Sequence, residues 1–320
     1  MEEAPEMNEI PAGQDGIPAG IPSVISVDEF LDLQATWRGS AAENICAVLG
    51  RPIEHSLSPL LHNTCYQAAG LDFTYVRVEA GEGAEIRRLL ENSSPDVRGF
   101  SVTMPGKTAA LELADQATER ALAIGSANTL VAQRDAQGNA FWLADNTDVD
   151  GVTSCLEDLQ AAGRIEFTGA RAVIVGNGGT ARPAVAALAA MGVSAITVLA
   201  RSERALNLQE LVTEFGMEFS WARFDQQPVE EFCAQAAVAI STIPASATEP
   251  LTEALLRAQS VIDVIYDPYP TPLLTAASAR RVPHSDGLRM LAGQAERQFE
   301  LFTGRQPAPG LLWKTALSRR

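Results

Sequence analysis

The chain has 320 residues, 46% of them apolar and 20% charged, with a formal net charge of −16. That length supports two domains with a substantial buried core, and the acidic balance excludes a nucleic-acid partner, which would need clustered Lys and Arg to meet phosphate. No apolar run approaches the roughly 20 residues of a membrane span, and no basic-then-apolar segment opens the chain; a cytoplasmic location is expected.

Half of the net charge sits in residues 1–43, where nine acidic side chains face only Arg38. This stretch is rich in Pro and Gly at its start and is expected to be an extension whose first two dozen residues are disordered. Within it, "SVDEFLDLQATW" suits a short helix capped by Ser26, with Glu29 placed for a capping box. Cys46, Cys65, Cys155 and Cys233 are widely spaced, without a CxxC or a His at metal spacing. They are expected to be structural thiols, and no metal site is expected.

From "ENICAVLG" a strand leads through the Pro-punctuated turn "RPIEHSLSP" into a helix ending at Gly70. "FTYVRVEA" predicts a second strand, "AEIRRLLEN" a helix and "VRGFSVT" a third strand. "TAALELA" and "ERALAIG" continue as helix, and "NTLVAQRDAQGNAFWLADN" predicts a hairpin turning at 135–139. A helix over "DVDGVTSCLEDLQAAG" follows. Beyond it the pattern becomes regular: "AVIV", "AITVLA", "EFSWARFD", "AVAISTIP" and "SVIDVIY" alternate with helical stretches. Such alternation implies a parallel, doubly wound sheet. The last clear helix, "GLRMLAGQAERQFELFTG", is amphipathic, with Leu288, Leu291, Ala295, Phe299 and Phe302 near one face.

Directly after "AVIV" comes "GNGGTA", with Gly176, Gly178 and Ala181 in a G-x-G-x-x-A arrangement that also contains Asn177, Gly179 and Thr180. The first glycine suits the tight turn, the second admits a pyrophosphate close to the backbone, and the alanine permits close helix–strand packing. The following helix aims free N–H groups and its positive end at the phosphates. The next strand ends without the acidic residue that would bind the ribose hydroxyl of NAD; Arg201, Ser202 and Arg204 follow instead. Two guanidinium groups and a hydroxyl suit a 2′-phosphate, so NADP is the expected cofactor.

The first half carries polar residues at the ends of apolar elements: Ser56 and Ser58 in "HSLSP", Thr103 and Lys107 in "SVTMPGK", Asn128 in "SANTL" and Asp148 in "DNTD". Singly each has a plain structural use. The serines could cap the helix after Pro59, Asn128 and Asp148 could form turns, and Lys107 could be a solvated helix start.

Together they carry more. "GRPIEHSLSPLLHN", "SVTMPGK", "GSANTL", "DNTDVDG", "GNGGTA", "DVIYDPYPTPLL" and "GLRMLAGQA", in this order, resemble the shikimate dehydrogenase family over residues 46–312. The resemblance implies NADPH-dependent reduction of 3-dehydroshikimate to shikimate, a small-molecule substrate, and a monomer or homodimer. It implies that Ser56 and Ser58 bind the substrate carboxylate, and that Thr103, Asn128 and Gln294 meet the ring hydroxyls with Tyr266 close by. Lys107 and Asp148 resemble the family's catalytic pair, while Gly176, Asn177, Gly178, Gly179, Thr180, Ala181, Arg201, Ser202, Arg204, Val264 and Gly287 match cofactor positions. The expected fold is a two-domain α/β chain. Residues 44–148 plus 288–320 form a substrate domain, 149–287 a Rossmann-like NADP-binding domain, and 1–43 a largely disordered extension. A relative acting on quinate, aminoshikimate or another cyclohexane carboxylate, with NAD, is the alternative, and a non-catalytic nucleotide-responsive regulator is a further one. A folate-type dehydrogenase with a similar plan would lack the "HSLSP" serines. Two departures from the family pattern stand out: Ser101 where Asn is commonest, and "STIP" at 241–244 in place of Asn-x-Thr near the nicotinamide.

Overall fold

The computed structural model describes residues 16–18, 20–36, 44–162, 165–225 and 228–319. Two sheets organise these residues. The first has seven strands: β1 (Ile25–Ser26), β2 (Asn44–Gly50), β3 (Phe73–Glu79), β4 (Val97–Val102), β5 (Gln116–Ala117), β6 (Thr129–Arg134) and β7 (Ala140–Asp145), in the order β1-β3-β2-β4-β6-β7-β5. β1, β3, β2 and β4 run parallel, whereas β6 is antiparallel to both β4 and β7. Strand alternation explains why β2 is apolar from Ile45 to Leu49. Ile45, Ala47 and Leu49 enter one core, and Cys46 and Val48 enter another on the opposite face.

The second sheet has six parallel strands: β8 (Arg171–Val175), β9 (Ala195–Ala200), β10 (Glu218–Arg223), β11 (Val238–Ser241), β12 (Val261–Asp263) and β13 (His284–Asp286). Their order is β10-β9-β8-β11-β12-β13. Renumbered from its first strand this is the 3-2-1-4-5-6 order of a doubly wound dinucleotide fold, with the switch point between β8 and β11. β8 likewise feeds two cores, Ala172 and Ile174 on one face and Val173 and Val175 on the other.

Two helices join the sheets. The Asp148–Ala161 helix packs along the Gly287–Thr303 helix, and Gly151 allows the approach. A Cβ there would lie 2.5 Å from the Met290 carbonyl oxygen, so any larger residue would push the helices apart. Leu288, Ala292, Ala295 and Phe299 of the second helix enter the core of the first sheet, whereas Met290 enters that of the second. Arg182 adds a polar tie. In the helix Ala181–Ala190, its guanidinium donates to the carbonyls of Ala123, Ile124 and Asn207.

Three expectations change. Residues 20–36 do not stand apart as an extension. Ile25 and Ser26 add a strand beside β3, and Phe30 in the helix Val27–Thr36 is fully buried against Phe100. Apolar side chains at 25, 27 and 30 bury enough surface to dock the segment despite its charge. The capping box is present, since the Ser26 hydroxyl accepts the Glu29 N–H and the Glu29 carboxylate accepts the Ser26 N–H. The acidic first 15 residues, residue 19 and residues 37–43 lie outside the described residues. "TAALELA" and "ERALAIG" do not form one continuous helix. β5 separates Lys107–Leu113 from Glu119–Ile124, because Asp115 accepts the Trp142 N–H and Thr118 caps the second helix. Leu291 is only partly buried, at the edge of the core that Leu288, Ala292, Ala295, Phe299 and Phe302 of the same helix enter. Among the described residues, no helix is long and apolar enough to cross a membrane.

Candidate active site

The carboxyl ends of β2 and β4 face those of β8 and β11 across a cavity of about 830 Å³. Ser56, Ser58, Thr103, Lys107 and Asn128 line it from the first sheet, and Thr180, Thr242 and Val264 from the second. Asp148, Tyr266, Gly287 and Gln294 complete it.

Ser58 is the first residue of the helix Ser58–Ala68, and the N-cap position is Leu57, without a side-chain cap. Neither serine therefore serves as the cap that its composition suggested. The Ser56 hydroxyl accepts the Ser58 N–H at 3.3 Å, and the Ser58 hydroxyl has no hydrogen-bond partner among the described residues. The turn is held from below by Arg77 of β3, which is 2% exposed. Its Nε and Nη2 donate to the Ser56 carbonyl at 3.0 and 2.5 Å, and its Nη1 donates to Ser23 O at 3.3 Å. Two hydroxyls and a helix N-terminus beside a buried guanidinium form an anion-accepting corner.

Lys107 opens the helix Lys107–Leu113, and Asp148 opens Asp148–Ala161. A carboxylate suits a helix N-terminus and an ammonium does not, so local helix electrostatics do not explain Lys107. Its partner does. Lys107 Nζ lies 2.5 Å from Asp148 Oδ2, with the two side chains 24% and 11% exposed. Asp148 Oδ1 accepts from Asn128 Nδ2 at 2.9 Å, and the same amide approaches Gln294 Oε1 at 3.4 Å. Close by, Arg120 pairs with Asp145 and Asp150. Burial pushes both carboxyls up, but hydrogen bonding and charge from Arg120 hold Asp145 below its ordinary value, while Asp150 stays above.

At the switch point, Gly176 has φ +102. A Cβ there would lie 2.6 Å from Ile243 Cγ2 and 2.7 Å from Thr242 Oγ1, so only glycine fits both the backbone and the space. Asn177 is partly buried, and Gly178 and Gly179 are exposed with open space above them. Ala181 is fully buried and can meet a ligand only through its backbone; Thr180 precedes it as the N-cap. Arg201, Ser202 and Arg204 lie exposed just beyond β9, outside the cavity lining, and neither arginine has an ion-pair partner among the described residues. Open glycines under a helix N-terminus and two uncommitted guanidiniums fit a phosphorylated dinucleotide.

Comparison with known proteins agrees. Residues 48–130 match the shikimate dehydrogenase substrate binding domain, and residues 287–317 match the shikimate 5'-dehydrogenase C-terminal domain. The chain is 34% identical over 293 residues to a shikimate dehydrogenase (NADP(+)) of Geobacter metallireducens, covering 86% of this chain and 96% of that one. The chain belongs to the shikimate dehydrogenase family. A crystal structure of a shikimate 5-dehydrogenase from Mycobacterium fortuitum superposes with a TM-score of 0.76 at 45% identity, covering 85% of this chain and 97% of that one. One from Thermus thermophilus, in complex with NADP(H) and shikimate, gives 0.69 at 29% identity, covering 87% and 100%.

Among shikimate dehydrogenase motifs in this chain, the structure draws attention to residues beyond those the sequence singled out for a role. Arg77 is a charged residue between two valines in the buried part of β3, which is a signal in itself, since an unpaired buried charge is costly. Ser101 lines the cavity, but its hydroxyl is engaged by Tyr75 and Gln298. Gln298 lies four residues after Gln294, on the same face of the helix, and its polarity at a core-facing position was the available clue. Thr242, in the departing "STIP" segment, donates to Val175 O at 2.9 Å and so ties the two strands at the switch point.

Proposed function

We propose that this chain is an NADP-dependent shikimate dehydrogenase, interconverting 3-dehydroshikimate and shikimate. The observation that carries this reading is the Lys107–Asp148 pair, lying in one cavity with the Ser56–Ser58 corner and with Thr180, the last residue of the turn before the Ala181–Ala190 helix. Gly176–Ala181, Val264 and Gly287 would hold the dinucleotide, with Arg201, Ser202 and Arg204 on its 2′-phosphate. The cofactor supplies a hydride when bound.

The rest belongs to the chain. Ser56 and Ser58 hold the substrate carboxylate; Thr103, Asn128 and Gln294 meet the ring hydroxyls, with Tyr266 close by. As the C3 carbonyl is reduced, negative charge grows on its oxygen. Lys107 stabilises that charge and delivers the proton, and Asp148 orients the ammonium. In the reverse direction the pair takes the hydroxyl proton. The chain acts as a monomer or homodimer, and the expected location is cytoplasmic.

Initial rates with shikimate and quinate, each with NADP and NAD, test the reading. The highest kcat/KM is expected for shikimate with NADP. If quinate with NAD were preferred, both substrate and cofactor assignments would be wrong.

A further inference from the structure

Behind the cavity, seven side chains join in a single hydrogen-bonded line. The Tyr75 hydroxyl lies 2.6 Å from Ser101 Oγ, and Ser101 Oγ 2.7 Å from Gln298 Oε1. Gln298 Nε2 lies 3.0 Å from Thr129 Oγ1, and Thr129 Oγ1 2.8 Å from Asn128 Oδ1. Asn128 Nδ2 then reaches Asp148, which pairs with Lys107. Tyr75 and Thr129 are fully buried, and Gln298 is 1% exposed.

The direction of the line is set from both ends. An ionised Asp148 only accepts, so Asn128 must present its NH₂ there and its oxygen to Thr129 and to the Thr147 N–H at 2.7 Å. Thr129 donates to Asn128 Oδ1 directly at 2.8 Å, or by way of the Thr147 hydroxyl, which lies 3.1 Å from both; on either route its oxygen accepts from Gln298 Nε2. At the far end, the buried Tyr75 phenol has no acceptor other than Ser101 Oγ among the described residues. Ser101 must therefore spend its proton on Gln298 Oε1. A flipped Gln298 amide would leave the phenol proton unmatched and draw the Thr129 proton away from Asn128. That is an unfavourable outcome among groups this deeply buried.

We propose that Tyr75, Ser101, Gln298 and Thr129 are positioning residues that polarise Asn128 and thereby hold the Asp148 carboxylate in register with Lys107. None of the four is needed to touch the reacting atoms. In this chain Ser101 fills the position of the family's commoner Asn, and the Gln298 amide supplies separate donor and acceptor atoms where a hydroxyl has one oxygen for both. The proposal rests on the assignment of Lys107 and Asp148 above.

Steady-state kinetics of near-isosteric variants test it. Thr129→Val removes the hydroxyl at constant volume and is expected to lower kcat about tenfold, with KM for NADP unchanged. Thr129→Ser keeps the hydroxyl and should stay within about twofold of the parent. Tyr75→Phe, at a buried residue that does not line the cavity, should lower kcat about three- to tenfold through the loss of polarity. The Tyr75→Phe/Thr129→Val pair should lose no more than Thr129→Val alone, because a cut line no longer transmits the effect of the phenol. Thermal melting of each variant reports whether it folds. Folded Thr129→Val and Tyr75→Phe proteins with kcat within twofold of the parent would overturn the proposal, as would equal losses in the Val and Ser variants or fully additive effects. Lys107→Ala, measured alongside, separates the two failures. If it too kept its kcat, the catalytic assignment itself would fall.

Discussion

Replacing Lys107 by Ala removes the side chain that the proposed mechanism uses as both proton donor and cation at the reacting carbonyl. Its ammonium lies 2.5 Å from Asp148 Oδ2, and the pair is mostly shielded from solvent. An oxyanion donor contributes about 10²–10³ in kcat and a positioned general acid about 10²–10⁴. One group performs both tasks, so the two do not multiply. A total loss of about 10³–10⁴ in kcat is expected, or about 4–5.5 kcal/mol of barrier. The loss has a second source. Without Lys107, Asp148 keeps its bond to Asn128, its other side-chain partner among the described residues, and leaves a bare carboxylate beside the developing alkoxide. KM for shikimate should change little, since the serine corner and the ring contacts remain. The assay is nicotinamide absorbance with both substrates varied, and a melting curve to show that the variant folds. A folded Lys107→Ala enzyme keeping more than about a tenth of its kcat would refute the assignment. So would a loss confined to KM.

Two further outcomes follow from other parts of the molecule. Replacing Arg201 and Arg204 by Leu together should lower the NADPH-over-NADH ratio of kcat/KM about ten- to hundredfold, most strongly at low salt; equal losses with both cofactors would remove them from the 2′-phosphate. His62 is fully buried, stacked 4.3 Å from the Tyr75 ring, and burial lowers its pKa from 6.5 to about 3. Neither ring nitrogen has a hydrogen-bond partner among the described residues, Gln298 approaching without completing one. The unfolded chain binds this proton below about pH 6.5 and the folded chain only near pH 3, so the contribution is complete above pH 6.5 and is lost as pH falls toward 3. His62→Phe, which keeps the stack, should therefore flatten the fall in stability over that range by on the order of a few kcal/mol, read from urea melts at several pH values. An unchanged pH slope would show that His62 is not the group responsible.

Much of this protein was legible as text because its signals are local. Period-two and period-3.6 patterns depend only on neighbouring residues, and the glycine turn needs only a strand before it and a helix after it. The strand, glycine turn and helix of the second sheet were therefore readable, as was the position of Arg201 and Arg204 just past a strand. The docking of residues 20–36 was not. Composition counts charges, whereas Phe30 finds its place only against Phe100, from a distant strand. The break before Glu119 was hidden for the same reason, because it follows from Asp115 reaching Trp142 across the sheet.

At the substrate end the residue types were visible and the partnerships were not. Lys107 and Asp148 could be named from their motifs, but their meeting depends on two helices starting at the same cleft. Arg77, Tyr75, Thr129 and Gln298 escaped notice because each looks like an ordinary core or strand residue. Ser101 stood out only as a departure from the family pattern. The sequence by itself determined the alternation of elements, the dinucleotide turn and the chemical kinds of group available. Only the tertiary structure decided which hydroxyl donates to which amide. That choice is made where strands and a helix distant in sequence bury these groups together, leaving each proton few partners.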